Sequence, residues 1–172
     1  MRNNRGFTLI ELITVAAIIG ILSTVASLSV SLVSSTGARQ CAAETASLIS
    51  KCKIGCMSHP SGTYLALTID ANGEMEGSYY ESDALVSTET LGSRRVSVTC
   101  QSGSGSPVPL DASTTLYLSF SRATGGLAVF STAPHMPAYP TDTGSAKISI
   151  SGGGRTCTIT VDALTGTYTL GG

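Results

Sequence analysis

The sequence predicts an α+β protein, a long amino-terminal α-helix followed by an antiparallel β-sheet or β-sandwich. Three observations carry that expectation. Residues 12–38 hold no charged side chain. Ala38, Cys41, Ala42, Thr45, Leu48, Ile49, Cys52 and Cys56 fall at helical spacings of three and four, which makes one stripe along a helix. After Gly62 the apolar period drops to two and glycine-rich turns recur, as strands and hairpins require.

The uncharged run comes first. It is longer than the ~20 residues a helix needs to cross the hydrocarbon core of a bilayer. Arg2 and Arg5 precede it and the next basic residue is Arg39, so the basic flank belongs inside and the bulk of the chain outside. An ordinary secretory signal, cut at a small-residue site ending at Ala26, is opposed by the length of the run and by Glu11 near its start. A carboxylate in hydrocarbon costs about 2.5–3.5 kcal/mol on insertion scales, so Glu11 demands a partner.

The residues Arg5-Gly6-Phe7-Thr8-Leu9-Ile10-Glu11-Leu12 resemble the processing motif of type IV prepilins and type II secretion pseudopilins. The resemblance implies cleavage after Gly6 by a prepilin peptidase, methylation of Phe7 as the new amino terminus, and a role for Glu11 in assembly. In a staggered helical bundle, the new ammonium of one subunit neutralises the Glu11 carboxylate of another, so the charge is tolerated only in the correct register. Residues 1–6 would then be the leader, 7–34 the transmembrane and filament-core helix, and 35–172 a stem helix with an extracytoplasmic β domain. The implied partners are the prepilin peptidase, other pilin or pseudopilin subunits, an inner-membrane assembly platform and membrane lipid. The implied location is the bacterial cytoplasmic membrane, single-pass with the amino terminus inside, and then an extracytoplasmic filament. Many major pilins carry a Pro within the membrane segment, but here the corresponding place is Leu28 and no Pro precedes Pro60, which favours a minor subunit or pseudopilin. The strand, glycine turn, strand rhythm of the carboxy-terminal half is similar, less specifically, to that of the H-type minor pseudopilin.

Beyond the membrane run, the stripe predicts that the helix continues to a glycine and proline cluster at residues 55–62. Arg39, Glu44 and Lys51 lie off the stripe. Strands are expected at residues 63–70, 75–81, 95–100, 115–122, 127–132, 146–151, 156–162 and 167–170. Asn72-Gly73 marks a tight hairpin turn between the first two. Turns are also expected at Thr124-Gly125-Gly126, Gly152-Gly153-Gly154 and Thr165-Gly166. Residues 101–113 and 133–145, rich in Ser, Gly and Pro, read as long surface loops, and His135, Met136 and Tyr139 give the second some capacity for contact.

The supply of chemistry is thin. Charged residues make up 12% of the chain and the net charge is −1; with no dense Lys/Arg run, nucleic acid is not an expected partner. The two histidines, His59 and His135, sit in no nucleophile or metal motif. No catalytic residue, cofactor or metal is assigned, and no enzymatic activity is expected. Gly152-Gly153-Gly154-Arg155 lacks the Lys-Ser/Thr of a phosphate loop and reads as a hairpin turn. Asp142 and Asp162 form no calcium loop. Five cysteines in an exported chain allow at most two disulfides. A bridge between Cys100 and Cys157, or from the helix stripe to one of their strands, fits the predicted elements, whereas Cys52 to Cys56 would strain a regular helix. The expected role is a structural subunit; a membrane-tethered module whose loops recognise a surface, an exoprotein or DNA is the alternative.

Overall fold

A stripe of small and apolar side chains on one helix face needs a matching surface, and two β-sheets provide it. The computed structural model describes residues 9–59, 62–92, 96–133 and 144–172, with side chains 25–36 outside the description. Helix α1, Leu9–Ser58, is continuous over 50 residues and at about 1.5 Å per residue extends for about 75 Å. Among the described residues, no helix is long and apolar enough to cross a membrane. The apolar run of residues 12–38 lies partly outside the described side chains.

The carboxy-terminal part of α1 is embedded. All eight residues of the predicted stripe are buried, while Arg39 and Lys51 are exposed and Glu44 is half-buried. Complete burial of a side chain such as Ile49 contributes about 1.5–3 kcal/mol.

Among the described residues ten strands follow: β1 Tyr64–Ile69, β2 Met75–Glu81, β3 Ala84–Leu91, β4 Ser97–Ser102, β5 Val108–Leu110, β6 Leu116–Phe120, β7 Leu127–Ser131, β8 Ser145–Gly152, β9 Arg155–Asp162 and β10 Tyr168–Gly171. They form two five-stranded sheets, ordered β3-β2-β1-β6-β7 and β10-β9-β8-β4-β5, and every strand pair is antiparallel. The helix packs against β1, β2, β3 and β6 of the first sheet and β8, β9 and β10 of the second. Alternation along the inner strands, buried then half-buried in β6 and β9, sends one set of side chains into a single core.

The Asn72-Gly73 turn closes the β1–β2 hairpin in register from Ile69↔Met75. Gly73 takes a φ of 82°, a conformation open to glycine at no steric cost, and the Asp70 carboxylate accepts the backbone N–H groups of Asn72 and Glu74. The Gly152-to-Arg155 segment is the β8–β9 hairpin turn.

Two strands depart from the sequence expectation. Strand β3 was not anticipated: it pairs only with β2, at the edge of its sheet, and is exposed along most of its length, so burial imposes no alternation on it. Residues 101–113 are not a single loop: β4 runs on to Ser102, and β5 pairs with it at Cys100↔Val108. The predicted loop at 133–145 has residues 134–143, including His135, Met136 and Tyr139, outside the described residues, and β8 begins within its end at Ser145.

Candidate functional site: the projecting half of the helix

Residues 9–24 of α1 are exposed without interruption. Leu9, Ile10, Leu12, Ile13, Val15, Ile18, Ile19, Ile21 and Leu22 each leave more than half their surface uncovered, although they are the side chains that water disfavours most. Consecutive residues in this group point to all sides of the helix. A helix apolar all round belongs in lipid or in a protein core.

The polar side chains in this segment obey the same condition. The Thr14 hydroxyl bonds to the carbonyls of Ile10 (3.0 Å) and Glu11 (2.9 Å), Ser23 donates to Ile19 O (2.7 Å) and Thr24 to Ile21 O (2.7 Å). Each hydroxyl is satisfied within its own helix and needs no water, as a hydrocarbon surrounding requires. Glu11 lies in the first turn, so its carboxylate sits at the positive end of the described helix. Gly6 and Phe7 lie outside the described residues.

The opposite half of α1 is clamped. Gly77 lets Leu48 approach the sheet, since a Cβ added there would come 2.5 Å from Leu48 Cδ1, and Gly92 does the same for Cys41, at 2.9 Å from its Cβ. The Glu44 carboxylate accepts the Gly92 N–H. Lys53 Nζ donates to Thr165 O at 2.8 Å, tying the helix to the β9–β10 turn. Lys51 lies 3.4 Å from Glu89 and 5.2 Å from the centre of the Tyr79 ring.

All five cysteines are free and buried, and a Cys100–Cys157 bridge, one of the two arrangements the sequence allowed, does not fit the strand order. Strand β8 lies between their strands, with Cys100 opposite Ile148 and Cys157 opposite Ile150. Two inter-strand spacings of about 4.8 Å place the pair beyond the Cα separation of about 7 Å that a disulfide tolerates. Burial pushes the Cys41 and Cys100 thiols up to about 11. Cys52 and Cys56, on the expected helix face, stand with sulfurs 3.9 Å apart and unjoined.

His59 follows the last helical residue, with Nδ1 3.2 Å from Gly55 O and Nε2 3.6 Å from Glu81. Among the described residues no three His, Cys, Asp or Glu side chains are grouped to hold a metal. The Asp162 carboxylate is engaged by the backbone N–H groups of Leu164 and Thr165 and by the Thr165 hydroxyl, and these bonds, led by those from Thr165, hold it below the usual carboxylate range.

Residues 1–27 match the prokaryotic N-terminal methylation motif, the prepilin-type signature of type IV pilins and pseudopilins. No curated protein and no solved structure matches the chain. The motif supports a type IV pilin-like or pseudopilin subunit, and it implies processing by a prepilin peptidase, assembly with other pilin subunits, and a membrane-anchored form that precedes an extracellular filament.

Proposed function

We propose that the chain is a minor pilin or pseudopilin of a type IV pilus or type II secretion filament, cut after Gly6 and assembled through the projecting half of α1. The observation that carries this reading is the junction of a methylation motif to a helix that is bare and apolar from residue 9 and buried against two sheets by residue 56. Such a helix has two jobs. Its bare half rests in the bilayer before assembly and among other subunits afterwards, and its packed half carries the β domain. The role is structural and non-enzymatic, and the single-pass orientation, with the amino terminus inside, follows from Arg2 and Arg5 ahead of the apolar run.

Glu11 sets the register in this scheme. Its carboxylate is costly in an apolar surrounding, and the ammonium created at Phe7 of another subunit offsets that cost when the stagger is correct. Glu11→Ala is expected to leave membrane insertion and processing intact while reducing incorporation into filaments. Immunoblots of sheared filament and membrane fractions measure both at once. Incorporation at the level of the unaltered chain would overturn the assignment.

A further inference from the structure

The last turn of α1 carries chemistry that a structural subunit does not need. Cys56 Sγ lies 3.9 Å from Cys52 Sγ, 3.4 Å from the backbone N of Phe120, which donates to it, and 3.2 Å from the Thr63 carbonyl. The β1–β6 pairing ends at Leu65↔Leu118, two residues short of Phe120. Cys56 also borders a pocket of about 200 Å³ that His59, Thr63, Ser119 and Arg122 help to line. In that lining the Thr63 hydroxyl is buried and has no hydrogen-bond partner among the described residues. An unsatisfied buried hydroxyl costs about 1–3 kcal/mol.

We propose that Cys56 is a reactive thiol, reached through this pocket by low-molecular-weight disulfides, and that Cys52 is its resolving partner. The neighbouring Cys52 sulfur shifts the Cys56 thiol downward, burial opposes this, and the Phe120 N–H adds to the lowering, while Cys52 is shifted upward. Cys56 loses its proton to solvent, and its thiolate attacks one sulfur of the small disulfide. A mixed disulfide forms at Cys56, and one thiolate leaves and is protonated. Cys52 then attacks the Cys56 sulfur, its proton passing to the second departing thiolate. Both cysteines are oxidised to one disulfide, and the small disulfide is reduced to two thiols. Closure draws together two Cβ atoms that a helix holds about 5–6 Å apart, against about 3.8 Å in a disulfide. The last helical turn must therefore rearrange, and α1 ends only two residues beyond Cys56, at Ser58. The inference does not depend on the filament role.

The full chain, extracted in mild detergent and fully reduced, tests this by peptide mapping after brief treatment with iodoacetamide or with oxidised glutathione. Cys56 is expected to alkylate at least about tenfold faster than Cys41, Cys100 and Cys157, in line with its thiolate character, and glutathione treatment is expected to yield a Cys52–Cys56 disulfide. In Cys52→Ser the glutathione adduct should persist on Cys56. Equal labelling of all five cysteines, labelling only after denaturation, or an adduct that persists in the unaltered chain with Cys52 still reduced would each overturn the proposal.

Discussion

Gly92 shows how one residue fixes the seat of the helix. Its φ of 74° is left-handed, and an added Cβ would meet both the Cβ and the Cα of Cys41, atoms that cannot swing aside. Its N–H also binds the Glu44 carboxylate. Gly92→Ala is expected to destabilise the β domain by about 2 kcal/mol, from backbone strain together with overpacking. Urea titration followed by near-ultraviolet circular dichroism checks this, and an unchanged midpoint would mean the helix is not seated there. Several residues on that seat were legible in advance, since the periodicity from Ala38 to Cys56 marked the buried stripe. Gly77 and Gly92 were not, because their significance lies in close approaches between segments far apart in sequence.

At the level of elements, three turns share one device. Asp70, Asp111 and Asp162 each bind backbone or hydroxyl donors of the next few residues, and all three carboxyls are held below their usual range by those bonds, led by Glu74 N–H, the Ser113 hydroxyl and Thr165 N–H respectively. A lowered folded-state value means that the contribution is complete above the unfolded value of about 3.9 and is lost as pH falls through the folded one. Thermal stability is expected to decline below about pH 4, and Asp162→Asn to reduce that decline, as melts between pH 2 and pH 7 would show. The strands differ in how plainly the sequence marked them. Strand β2 matches its predicted span, with alternating burial over most of its length. Strand β3, Ala-Leu-Val-Ser-Thr-Glu-Thr-Leu, lies at an edge and alternates nowhere, and its hairpin turn uses Ser82 and Asp83 at positive φ, with no glycine as a marker. Strand β5 is three residues long and contains Pro109, which an edge position tolerates.

For the whole molecule, the division of α1 into bare and packed halves leads to two expectations. Residues from about 35 onward should be soluble on their own and mainly β with one helix, and far-ultraviolet circular dichroism of that fragment would show it; a helix-dominated spectrum would contradict the fold. The mature chain should begin at Phe7 and keep its apolar segment, as intact-mass measurement of membrane-extracted protein can show, and a start after Ala26 would remove the basis for filament assembly. The division itself was readable from charge and periodicity. That the packed half engages strands of both sheets was not, because sheet order depends on which strands become neighbours, and local pattern does not encode that.

That engagement has a mechanical consequence. A pull on the projecting end enters the β domain along the axis of one unbroken helix. It is spread over contacts with β1, β2, β3 and β6 on one side and β8, β9 and β10 on the other, with the Lys53–Thr165 bond near the far end. To withdraw the helix, both rows of contacts must slip together, so tension is shared across the domain instead of opening it one strand at a time.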